Sequence, residues 1–184
     1  MKIAKLASVA ALSLLITAPA FAHPGHMEHG LTDGLLHPLT GLDHLAMLLT
    51  TGLLAGVTRR SLLMPLIALL ALVLGTGLGF ALGAYSWVEP AILISLVAAS
   101  SLLLSHSRLT ALTWTMPLFA LFHGWAHGVE APATQLLGFT LGSALMAGAL
   151  LVAGFALGRK LQAHPRLQQG WAGGLLVLTA SLLG

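Results

Sequence analysis

From residue 38 to residue 184 the chain is a series of apolar segments, with its charges almost confined to the gaps between them. A stretch of about 20 apolar residues is long enough to cross a bilayer as a helix. Lipid offers the backbone no hydrogen bonds, so a crossing segment must be a helix or a strand of a closed barrel. Barrel strands would alternate apolar and polar residues over about ten positions, and no such alternation appears. The segments fall near 38–57, 61–83, 89–105, 110–128, 135–158 and 170–184, the last of them short. The expected fold is all-α: a polytopic membrane helix bundle of about six transmembrane helices. Composition argues the same way, with 57% apolar and 7% charged residues, against about 25% charged in soluble domains. Eight basic and five acidic side chains could not cover a soluble fold of 184 residues. Soluble enzymes, disordered regulators and secreted disulfide scaffolds are thereby excluded. With no cysteine, thiolate metal sites and thiol redox chemistry are excluded too.

Residues 1–22 read as a secretory signal peptide. Lys2 and Lys5 precede an apolar run from Leu6 to Ile16, and Ala20-Phe21-Ala22 forms a cleavage site. The alternative is an uncleaved first span, but the apolar core is short and a polar, histidine-rich stretch follows it. Cleavage leaves a periplasmic segment, 23–37, and a transmembrane domain, 38–184. It also removes two lysines, leaving six basic residues against five acidic ones. The sequence pI near 10 therefore says little about nucleic acid, which is not expected as a partner.

With His23 outside, the loops alternate and every remaining basic residue falls inside. These are Arg59, Arg60, Arg108, Arg159, Lys160 and Arg166, as the positive-inside rule requires. The acids Glu28, Asp33, Asp43, Glu89 and Glu130 fall outside. Trp87, Trp125 and Trp171 lie near span ends, where an interfacial belt would place them. Glycines spaced by four (Gly52/Gly56, Gly75/Gly79/Gly83, Gly138/Gly142, Gly154/Gly158) mark close helix approach. Gly-Phe-x-Leu-Gly recurs at 79–83, 138–142 and 154–158, which shared packing explains as well as duplication does. No ATP-binding motif is present.

Two constellations carry chemistry. In His37-Pro38-Leu39-Thr40-Gly41-Leu42-Asp43-His44, proline suits a first helical turn, and a helix starting there puts His37 and His44 on one face. An aspartate inside an apolar segment needs a partner or a task. In the stretch from Phe122 to Glu130, His123, His127 and Glu130 fall within about 60° of one another around a helix. Gly124 and Gly128 keep the adjacent surface bare, and a glycine at 124 excludes a zinc-protease His-Glu-x-x-His motif. By the charge map both constellations lie at the outer face. Four imidazoles and two carboxylates without sulfur suit Ni²⁺, Co²⁺ or Zn²⁺. The candidate metal residues are His37, Asp43, His44, His123, His127 and Glu130. A weaker cluster, His23, His26 and His29 with Glu28, is either a capture site or a solvated tail. His106 and His164 read as polar loop residues, Glu89 as a first-turn acid or an outer partner, and Met47 and Met116 as packing.

The pattern His37-Pro38-x-x-Gly41-x-Asp43-His44-x-x-Met47, followed by Phe122-His123-Gly124-x-Ala126-His127-Gly128-x-Glu130, resembles the HupE/UreJ family. That resemblance implies a secondary nickel or cobalt permease with a cleaved leader, accompanying hydrogenases or ureases. The first motif also resembles the His-x4-Asp-His signature of the wider nickel/cobalt transporters, but the spacing here is five. The expected function is secondary, non-ATPase uptake of Ni²⁺ or Co²⁺ across the bacterial inner membrane, with the ion as cargo and not as a bound cofactor. Its expected partners are the divalent ion, the bilayer and a hydrogenase or urease maturation system. The alternative is an accessory protein that binds nickel and hands it on without transporting it. An enzyme is not expected, since neither a general base nor a substrate cleft is identifiable.

Overall fold

The computed structural model describes residues 30–59, 61–105 and 110–183. The leader, the 23–29 histidine cluster, Arg60, His106 and Arg108 lie outside the described residues. Seven α-helices follow in order: α1 Gly30–Thr40, α2 Leu42–Val57, α3 Leu63–Leu82, α4 Val88–Leu104, α5 Met116–Glu130, α6 Leu136–Leu161 and α7 Pro165–Leu183. Short 3₁₀ turns, Thr110–Thr115 and Ala133–Gln135, lead into α5 and α6. No strand occurs among the described residues, and every expected apolar segment is helical. By length and apolarity alone, α3 and the Ala133–Leu161 segment can each cross a membrane. The pair α1 and α2, bent by 79°, makes a third if it is one broken span. The remaining helices are shorter or less apolar; α4 has 17 residues and α5 has 15.

The first motif does not fold as one helix starting at Pro38. Pro38 lies inside α1, and the chain breaks at Gly41, which adopts an extended conformation (φ −85°, ψ 108°) before α2 begins. A proline inside a helix leaves the carbonyl four residues earlier without its N–H donor. Here that carbonyl belongs to Gly34, and the Ser143 hydroxyl of α6 donates to it at 3.2 Å. The lost backbone bond is thus replaced from a neighbouring helix, as buried backbone in an apolar setting requires. His37 and His44 sit on different helices, and the bend, not a shared helical face, brings them together.

The glycine ladders pair the helices. A Cβ on Gly52 or Gly56 would strike the backbone of 151–159, and one on Gly154 or Gly158 would strike Leu49 or Leu53. The same reciprocity joins Gly75 and Gly79 of α3 to Gly124 and Gly128 of α5, and Gly30 and Gly34 of α1 to Gly138 and Gly142 of α6. In each pair the contacts rise together along both chains, so α1 and α2 each run in the same sense as α6, and α3 in the same sense as α5. Two readings of single glycines need correction. Gly83 does not extend the α3 ladder; it ends the helix at φ 79° with open space around it. Gly124 and Gly128 face the α3 backbone and so serve helix packing, not space beside the histidines.

The main core gathers Met47, Leu48 and Leu53 from α2, Met64 and Leu72 from α3, and Leu96, Met116 and Leu151, all but sealed from solvent. Met47 and Met116 are packing residues, as expected. Trp125 departs from the expected interfacial belt. It is only 6% exposed, its ring meets Tyr85 and Trp87 edge-on, and its indole N–H donates to the Gly83 carbonyl at 2.8 Å. Trp171 likewise turns inward to donate to the Thr50 hydroxyl, whereas Trp87 and Trp114 remain substantially exposed.

Candidate functional site

The end of α1, the first turn of α2 and the last turns of α5 converge at one end of the bundle. There the four expected imidazoles pack ring against ring. His37 and His127 have centroids 4.5 Å apart, His44 and His127 4.5 Å, His44 and His123 4.8 Å, and His37 and His44 6.2 Å. All four contacts are edge-on. His123 and His127 are fully buried, His44 nearly so, and His37 stands at the rim.

Three of the rings are held by a polar neighbour. Asp43 sits in the first turn of α2, where the helix dipole favours a negative charge, and not deep within the apolar segment. One oxygen, Oδ1, accepts both the backbone N–H of His44 and its Nδ1–H, each at 2.9 Å. Gly41 makes room for this pair, because a Cβ there would lie 3.0 Å from His44 Nδ1 and 3.1 Å from Asp43 Oδ1. His37 Nε2 meets Glu130 Oε2 at 2.9 Å, joining the two sequence motifs directly. Glu130 closes α5 beyond the apolar run that ends at 128, and the His37 imidazole holds its carboxyl below the usual glutamate range. His123 Nε2 lies 2.9 Å from the Ser95 hydroxyl of α4. The fourth ring, His127, has neither nitrogen bonded.

All six expected metal residues therefore meet in one place. Four ring nitrogens among them are buried without a hydrogen-bond partner in the protein: His44 Nε2, His123 Nδ1, and both Nδ1 and Nε2 of His127. Such atoms cost about 1–3 kcal/mol each when left unsatisfied, and a cluster of them calls for an explanation. As the side chains stand, no group of three or more His, Asp or Glu among the described residues is disposed to hold a metal ion. The rings contact one another instead of pointing at a common centre. Glu89 is exposed in the first turn of α4, and His164 is exposed before α7. Neither joins the cluster by any hydrogen bond or ring contact described.

Sequence reasoning missed Ser95, Ser143 and Phe139. Phe139 packs edge-on against His37 at 5.1 Å and walls the rim. The Gly-Phe-x-Leu-Gly pattern at 138–142 contained it, but no signal singled it out. Ser95 is one of several serines in an apolar stretch, so only the fold reveals its neighbour.

A helical membrane-type bundle with a buried histidine cluster rimmed by two carboxylates defines the class: a membrane protein with a nitrogen- and oxygen-rich polar site at one end. The HupE / UreJ protein family model matches residues 10–183, and the chain belongs to that family. The chain is also 28% identical over 147 residues to Protein HupE of Rhizobium leguminosarum bv. viciae, covering 77% of this chain and 76% of that one. No solved structure matches the chain.

Proposed function

We propose that this protein is a secondary transporter of Ni²⁺, and of Co²⁺, in the bacterial inner membrane, taking the ion up from the periplasm for a hydrogenase or urease. The observation that carries the reading is the set of four partnerless ring nitrogens inside one imidazole cluster. A purely structural cluster would pair them, whereas a passing cation offers a partner to the lone pairs among them, one each on His44, His123 and His127. Imidazole nitrogen with carboxylate oxygen and no thiolate suits Ni²⁺ and Co²⁺. Glu130 and Asp43 add negative charge to offset a divalent ion. A ready-made cage of four ligands would retain its ion, and conduction needs binding weak enough to release. Rings that must turn to ligate fit such a passage. The family relationship supports a role beside nickel enzymes, and the absence of an ATP-binding motif supports a secondary mechanism.

Metal accumulation tests this. Proteoliposomes or cells carrying the chain alone should accumulate Ni²⁺, and Asp43→Ala should lose on the order of 10- to 100-fold in uptake at equal membrane abundance, the usual effect of removing the partner of a ligating histidine. Binding of Ni²⁺ without accumulation would make the chain an accessory protein that hands metal on. Full uptake by Asp43→Ala would remove the cluster from the route.

A further inference from the structure

Ser95 lies on α4, a helix that carries none of the six expected ligands, and it is fully sealed from solvent. Its hydroxyl oxygen stands 2.6 Å from the Ile92 carbonyl oxygen and 2.9 Å from His123 Nε2. A serine has one hydroxyl hydrogen. Two oxygens about 2.6 Å apart repel unless a hydrogen lies between them, and a carbonyl can only accept. The hydroxyl therefore donates to Ile92 and presents a lone pair to His123. The group facing that lone pair must be an N–H, so His123 carries a hydrogen on Nε2. A neutral imidazole has only one N–H, which leaves Nδ1 as a bare lone pair. That atom is buried and has no partner in the protein. His44 repeats the pattern with the ring atoms exchanged. Asp43 accepts from its Nδ1–H, and the partnerless lone pair is Nε2.

We propose that Ser95 is a positioning residue of the metal route: it fixes the tautomer and ring orientation of His123 so that Nδ1 is the atom that takes the ion. Histidines that bind metal almost always donate their other ring N–H to an oxygen, which sets the tautomer. The inference rests on the reading of the histidine cluster as a Ni²⁺ site.

The test uses the full chain purified in detergent and Ni²⁺ alone as probe. Ser95→Ala should weaken Ni²⁺ binding by about 10- to 100-fold, and Ser95→Thr, which keeps a hydroxyl, should restore most of it. In a His123→Ala background, Ser95→Ala should cost nothing further, because the two residues act as one unit. Nitrogen-15 spectra of the metal-free wild-type chain should show His123 as the Nε2–H tautomer, a readout that needs no variant to fold. An Nδ1–H tautomer at His123, or losses that add across the two substitutions, would overturn the proposal. Failure of the underlying reading looks different. The Nε2–H tautomer would be present, yet His44→Ala and His123→Ala would leave Ni²⁺ binding unchanged.

Discussion

Glu130 and Trp125 are five residues apart on α5 and separate the site's chemistry from its scaffold. Glu130 is half exposed at the rim and bonded to His37, whereas Trp125 is buried and bonded to the end of α3. Glu130→Gln keeps size and some hydrogen bonding but loses the charge that offsets a divalent ion. It should lower uptake per inserted molecule by about 10- to 100-fold and leave membrane abundance intact. Its pKa is depressed, so the carboxylate persists as pH falls through the ordinary glutamate range and is lost only below it. The Gln variant's deficit should therefore be the same factor at pH of about 7 and about 5. Trp125→Phe should do the reverse. Losing the indole bond to Gly83 costs about 1 kcal/mol, read as a lower thermal midpoint with normal uptake per molecule. A Gln variant that transports normally, or a Phe variant that fails only in transport, would exchange these roles. The sequence placed both residues on the right helix, and put the candidate ligands His123, His127 and Glu130 on one face of it. It could not show that Trp125 faces inward, because an indole suits a lipid interface and a packed aromatic cluster equally well.

At the scale of elements, the spacing of the glycines was legible but their partners were not. Gly-x-x-x-Gly announces a helix that another backbone approaches, and reciprocal contact in three helix pairs bears that out. Which ladder meets which depends on the fold, and Gly83 shows that spacing alone cannot tell a contact from a cap. The break at Gly41 was illegible for a related reason. Pro38 is as compatible with a first turn as with a helix interior whose lost bond is replaced, and the replacing hydroxyl lies at Ser143, far away in sequence. Space at the glycine decides the sign of a substitution. Alanine is favoured over glycine within a helix by about 1 kcal/mol, and a Cβ at Gly77 meets nothing within 4 Å. Gly77→Ala should therefore leave membrane abundance and thermal midpoint unchanged or raised. A Cβ at Gly124 would fall on the Leu72 backbone, which cannot swing away as a side chain can. Gly124→Ala should force α3 and α5 apart and sharply reduce the folded fraction. Equal behaviour of the two variants in a detergent melt would show that α3 and α5 do not approach as described.

For the whole molecule, the directions of the packed pairs bear on how the chain lies in a membrane. Six alternating crossings make the first and fifth spans parallel to each other, and likewise the second and fourth. The contacts have this form: α2 rises with α6, and α3 rises with α5. The histidine cluster is built where α2 and α6 begin and α5 ends. The opposite end holds Arg59, whose Nε donates to Gln162 Oε1, together with Arg159 and Lys160 in the last turn of α6. Asp43, Glu130 and the four clustered imidazoles thus gather at one pole, and Arg59, Arg159 and Lys160 at the other. The charge order in the sequence already put both motifs at one face, and the packing brings them into direct contact at one pole. Basic residues are retained on the cytoplasmic side, so the cluster should open to the periplasm, where incoming metal would meet it. A topology reporter at His164, in the turn between α6 and α7, should be active only as a cytoplasmic fusion. One at Pro132, between α5 and α6, should be active only as a periplasmic fusion. Reporters on the same side at both positions would mean that α6 does not cross. A periplasmic 164 with a cytoplasmic 132 would invert the molecule, leaving the histidines to receive metal from inside the cell and making export, not uptake, the direction their position serves.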